Sequence, residues 1–99
     1  YNILFWVSDV SKDYVLTKPI HESQRSINEK DEAELRLQYP TLVNGKFFRI
    51  ECKENYELIR ELTSFGQELV VLSPTYIQRK IIDWIDNLQK KYSSLNLRT

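Results

Sequence analysis

A single histidine, His21, is closely followed by Ser23, Gln24 and Arg25 and stands just beyond Pro19. Histidine beside serine can activate a hydroxyl nucleophile. A working nucleophile–base pair also needs a third group to orient the imidazole, and the sequence points to none. The cluster has a bland reading, a hydrogen-bonded turn and edge strand, and a functional one, a polar patch that binds a ligand or another domain. The carboxylates Glu29, Asp31, Glu32 and Glu34 crowd together as well. Paired carboxylates do acid–base work only where their environments separate their proton affinities. These fall on the first turn of an expected helix, where they read as solvated. The chain is read as a non-enzyme.

A sharper constellation is aromatic. Phe5 and Trp6 lie in the first apolar run, and Phe47 and Phe48 follow Asn44-Gly45. RNA-recognition domains stack bases on aromatics of their first and third strands, with a basic-Gly-aromatic-small-Phe signature on the third. Here the order is Gly45-Lys46-Phe47-Phe48-Arg49, so the glycine is displaced and the small residue is missing. Phe47 and Arg49 still alternate onto the face expected to point outward, where an aromatic beside a guanidinium can stack a base. Candidate ligand-binding residues are therefore His21, Ser23, Gln24, Arg25, Phe47 and Arg49. Arg60, Arg79 and Lys80 read as solvated helix surface. Gly45 and Gly66, the only glycines, cannot build a phosphate cradle. Cys52 is the one cysteine and reads as a small core or half-buried residue. With one histidine it falls short of a thiolate/imidazole metal site. No metal and no cofactor is expected.

The elements that hold these residues come from one small domain. The chain has 99 residues, with 14 Lys plus Arg against 14 Asp plus Glu and a net charge of zero. That balance argues against a free-standing electrostatic nucleic-acid binder. No apolar run is long enough for a membrane span, and no signal peptide is expected. The first strand begins directly after Tyr1, so the chain is expected to be cut from a longer polypeptide, and a reducing, cytoplasmic setting is expected.

Asn2–Ser8 is apolar on both faces and predicts a central strand. Asp9 is the expected cap of a short helix with Val10, Tyr14 and Val15 on one side, ended by Pro19. Residues 20–27 predict a polar edge strand. Asn28 followed by acids predicts a helix start, and a short helix is expected up to Pro40, although Leu35, Leu37 and Tyr39 also alternate as a strand would. Asn44-Gly45 predicts a turn and residues 46–53 a strand. Glu54 or Asn55 caps a helix carrying Leu58, Ile59, Leu62 and Phe65, and Gly66 fits its left-handed terminus. A buried strand over residues 68–72 follows. Ser73-Pro74 is expected to open a long helix with Ile77, Ile81, Trp84, Ile85, Leu88 and Tyr92 in one stripe. Residues 1–92 form one domain, and 93–99 a frayed tail. The fold class is α+β: a ferredoxin-like βαββαβ antiparallel sheet with its first and third strands central, a short inserted helix and an added long C-terminal helix.

The stretch Tyr56 to Pro74, YELIRELTSFGQELVVLSP, and the amphipathic helix ending at Tyr92 resemble the C-terminal extension domain of bacterial WYL-domain transcriptional regulators. That domain commonly shows a helix ending in Ser-Phe-Gly, a Val-Leu strand, a proline and a long last helix. Leu16 to Gln24, LTKPIHESQ, is similar to its Pro-x-His-x-Ser-Gln run, and Val7-Ser8 to its first-strand ending. The resemblance covers about residues 2–92. It implies a regulator with a winged helix-turn-helix and a WYL barrel as partner domains, a homodimer, and a nucleotide or single-stranded nucleic-acid effector. The chain carries neither the helix-turn-helix nor the Trp-Tyr-Leu motif, so DNA binding is not assigned to it. Residues 31–45 are longer than in many relatives. The expected function is effector sensing or dimerisation. The rivals are a purely structural dimerisation domain, favoured by exposed apolar positions such as Ile82, a single-stranded nucleic-acid binder, and an acylphosphatase-like enzyme that lacks its phosphate loop.

Overall fold

A strand with apolar side chains on both faces needs cover on both sides, and that need sets the architecture. The structure is a computed structural model and describes residues 1–95. Strand β1 (Asn2–Ser8) buries Ile3, Phe5 and Val7 on one face and Trp6 on the other. It pairs antiparallel with β3 (Gly45–Glu51) and with β4 (Leu69–Ser73), and β3 pairs antiparallel with β2 (Arg25–Ser26). The sheet order is β2-β3-β1-β4, so the first and third strands are central. Four α-helices complete an α+β arrangement consistent with a ferredoxin-like one: α1 (Asp9–Thr17), α2 (Glu29–Gln38), α3 (Tyr56–Ser64) and α4 (Thr75–Ser93).

The larger core lies on the Phe5 face. Phe5 stacks on Phe48 with ring centroids 5.7 Å apart. Ile3, Val7 and Ile50 join them from the sheet, Val15 from α1, Leu58, Ile59 and Leu62 from α3, and Ile77 from α4. The opposite face carries a second core of Trp6, Phe47 and Leu72, packed by Leu35, Tyr39 and Leu42 from α2 and the segment after it. The inserted helix therefore covers the sheet face that the other three helices leave open.

Local signals explain most boundaries. Asn28 Oδ1 accepts the Asp31 amide at 2.9 Å and Asn55 Oδ1 accepts the Leu58 amide at 2.8 Å, each satisfying an orphan donor of a first turn. Gly66 adopts φ +58 after α3 and leads into a 3-10 turn, Gly66–Glu68. Asn44 takes the left-handed conformation of the turn before β3, at φ 57.

Several expectations are corrected. Ser8, not Asp9, is the N-cap of α1, and its hydroxyl donates to Glu68 Oε1 at 2.5 Å instead of capping the helix. Val10 and Tyr14 are exposed and only Val15 of that helix is buried, because α1 touches the core along a single narrow line. The expected strand over 20–27 contracts to Arg25–Ser26, since the residues before it form a side-chain-bonded turn. Ser73 ends β4 and Pro74 is the N-cap of α4, one position later than expected. Ser93 closes α4 rather than opening a frayed tail, and the tail from residue 96 onward lies outside the described residues.

Candidate functional site

The structure brings His21, Ser23 and Gln24 together, as the working parts of a turn. Ile20 is buried and anchors the segment after Pro19. The Ile20 amide donates to Gln24 Oε1 at 2.9 Å, and Gln24 Nε2 donates to the Val15 carbonyl in α1 at 3.1 Å. The Ser23 amide donates to His21 Nδ1 at 3.1 Å. The Ser23 hydroxyl accepts the Glu51 amide at 2.8 Å and lies 2.7 Å from the same Nδ1. These side chains satisfy backbone groups that a longer β2 would otherwise have paired.

Ile20 and His21 also line an open cleft of about 410 Å³ with Cys52, Leu58, Glu57 and Glu61. A cysteine and a histidine in one cleft raise nucleophilic chemistry. Burial pushes the Cys52 thiol above its ordinary value, outweighing the opposing pull of the N-terminal ammonium. A reactive cysteine needs the reverse shift. His21 Nδ1 is already engaged by Ser23. Among the described residues, no group of three or more His, Cys, Asp or Glu side chains is placed to hold a metal ion.

The expected stacking face is corrected. Phe47 is fully buried, because α2 lies over it. The guanidinium above its ring is that of Arg36, 5.7 Å from the centroid, which also donates to the Gly45 carbonyl at 3.0 Å and to Glu32 at 2.6 Å. Arg49 is exposed on the same face, beyond the reach of α2, and is the direct cross-strand partner of exposed Arg25. Among the described residues neither has a carboxylate within 4.0 Å. Like charges directly opposite one another in a sheet are destabilising, so this pair is a local electropositive point on a chain without net charge. The Arg25–Arg49 juxtaposition depends on strand register, which the sequence does not state.

A second surface is apolar. Ile77 is buried, and Ile81 and Trp84 pack against the larger core. Past them, among the described residues, the stripe stays exposed, with Ile85 55%, Leu88 47% and Tyr92 57% exposed, and Ile82, on a neighbouring flank, is 59% exposed. The near end of this stripe forms one wall of a groove of about 520 Å³, whose other wall includes Leu62, Leu69 and Val70. Exposed apolar surface of this kind on a small domain is a candidate interaction site. Among the described residues no helix is long and apolar enough to cross a membrane. No protein-family model and no curated protein matches the chain.

Proposed function

We propose that the chain is a non-enzymatic, ferredoxin-like regulatory module that acts by protein–protein contact through α4, in the manner expected of the C-terminal domain of a cytoplasmic WYL-type transcriptional regulator. The observation that carries this reading is the uncovered second half of α4. Its apolar stripe is exposed at Ile85, Leu88 and Tyr92, while the polar residues with catalytic potential are engaged in backbone hydrogen bonds. The antiparallel order β2-β3-β1-β4 supports the ferredoxin-like assignment. A regulatory module of this kind couples association to a DNA-binding domain elsewhere in its regulator when the two arrangements differ in affinity for a partner. Sedimentation velocity over a concentration series tests it: self-association is expected, and a strict monomer at high concentration refutes it.

A second reading rests on the Arg25–Arg49 pair. An anionic effector, such as the phosphates of a nucleotide or a short single strand, would be drawn to these two arginines, paired by register across β2 and β3. Titration with short oligonucleotides at low and moderate salt is the test. Absence of binding at low salt ends this reading.

A further inference from the structure

We infer that residues 28–43, α2 with the segment after it, form a lid that opens as one unit while the sheet and the larger core stay folded. Opening uncovers Trp6 and Phe47, direct partners across the two central strands. The lid is independent of the contact reading of α4.

Its boundaries are the first observation. Just before it, the Ile27 amide donates to the Phe47 carbonyl at 3.2 Å. Just after it, the Asp9 amide donates to the Asn44 carbonyl at 2.7 Å. Asn44 also makes the left-handed turn, at φ 57. Both pins lie at the start of β3, so a segment swinging about them leaves the sheet pairing intact. Between the pins, among the described residues, the lid's hydrogen bonds are its own, except that Arg36 donates to the Gly45 carbonyl at 3.0 Å. Its ion pair, Arg36 with Glu32, is also internal.

The second observation is how little the lid buries. No residue of α2 is buried, whereas α3 buries Leu58, Ile59 and Leu62. Leu35, Tyr39 and Leu42 pack on the Trp6 face, and all three are half-buried. The Arg36 guanidinium lies 5.7 Å from the centre of the Phe47 ring. A segment with its own hydrogen bonds and few buried contacts opens at a lower free energy than the whole fold.

The third is a cost carried by the closed state. Trp6 Nε1 is buried with no hydrogen-bond partner. It abuts Gly45, where a Cβ would lie 2.3 Å away. A buried orphan N–H destabilises the arrangement that buries it, and water satisfies it once the cover lifts. The open state then presents an aromatic surface on the same sheet face as Arg49. The lid therefore gates the one face that α1, α3 and α4 leave uncovered.

Hydrogen exchange on the whole chain, followed by NMR, tests this. Trp84→Phe identifies the Trp6 indole signal by elimination. The Tyr39 and Leu42 amides and the Trp6 indole N–H should share one protection factor, about a hundredfold or more below that of the Phe5 amide. Arg36→Ala removes the link to Gly45 and the cation over Phe47. It should speed exchange at Tyr39, Leu42 and the Trp6 indole by roughly tenfold and leave Phe5 unchanged. Arg36 is exposed, so the variant keeps the fold. An indole N–H as protected as the Phe5 amide overturns the lid, even if the α2 amides exchange fast, because α2 then frays in place. Equal acceleration of all these sites by Arg36→Ala also overturns it, because the segment then opens only with the whole domain.

Discussion

Replacing Gly45 by alanine tests how the second core is built. Gly45 opens β3 opposite Ser8. A Cβ there would lie 2.3 Å from Trp6 Nε1, 2.5 Å from Trp6 Cε2 and 2.4 Å from the Val7 carbonyl oxygen. Two of these atoms belong to a buried indole held by Phe47 and Leu72, and the third is backbone of the central strand. Rotating one side chain away does not relieve all three contacts. Overpacking a tight site costs about 1–3 kcal/mol, and a clash that includes backbone belongs at the top of that range. For a domain of this size about 3 kcal/mol lowers the melting temperature by roughly 15 °C. Gly66 is the contrasting control: its Cβ would meet nothing within 4 Å, but its φ is +58. Gly66→Ala should cost only the left-handed conformation, about 1 kcal/mol or roughly 5 °C. Thermal unfolding followed by circular dichroism, with Trp6 emission as a local probe, measures both. If Gly45→Ala melts within a few degrees of the wild type, or Gly66→Ala is the more damaging of the two, the reasoning about Gly45 is wrong.

Ser23→Ala removes the acceptor for the Glu51 amide and should cost about 1–2 kcal/mol in urea denaturation; no change would mean that water replaces it without loss. Arg49→Glu turns a like-charge cross-strand pair into an opposite one, and should raise stability by about 0.5–1 kcal/mol while weakening any anion binding. A loss of stability would show that the guanidiniums do not oppose each other. Burial raises the Cys52 thiol above its ordinary 9.0, so the native state holds its proton to higher pH than the unfolded state. Stability should therefore be unaffected by this group below about pH 9 and fall as pH rises through the raised native value. Cys52→Ala should flatten that part of the curve, and alkylation of native Cys52 at neutral pH should be slower than in the unfolded chain.

The parts of the fold legible in the sequence are those fixed by a local signal. β1 was readable because Ile3, Phe5 and Val7 alternate with Leu4 and Trp6, which demands a central strand whatever surrounds it. Asn28, Asn55 and Gly66 act within one turn of themselves, so their caps and terminus were readable too. Features set by distant partners were not. Phe47 alternates as an outward residue should, and only the placement of α2 buries it. The sequence did carry half of that answer: a strand apolar on both sides requires a cover, and Leu35 and Tyr39 at i,i+4 spacing could supply one. Ser8 left its capping role because Glu68, distant in sequence, approaches its hydroxyl. The residues after Pro19 looked like ligand contacts for a similar reason. Polar side chains that replace missing sheet hydrogen bonds have the same composition as polar side chains that meet a ligand. Gly45 was readable as part of a turn signal, but Asn44 holds the left-handed position and Gly45 is required for room.

The inserted helix decides where the domain can work. On a four-stranded sheet with helices on one side, the open face is the natural place to bind. Here α2 closes the half of that face that holds Trp6 and Phe47, leaving Leu4, Arg25 and Arg49 at its open end. With so much of the sheet taken, the exposed apolar side chains of α4 stand out among the described residues. That helix is also poorly supported where it is exposed. Its first half is held by Ile77 in the core, but past Trp84 its described residues are all exposed, and isolated helical turns are marginal in water. The Asp86–Lys90 pair adds only a few tenths of a kcal/mol at an exposed position. A stripe of isoleucine, leucine and tyrosine on such a segment is a poor choice for a helix meant to remain solvated. The proposed contact through α4 would complete that second half.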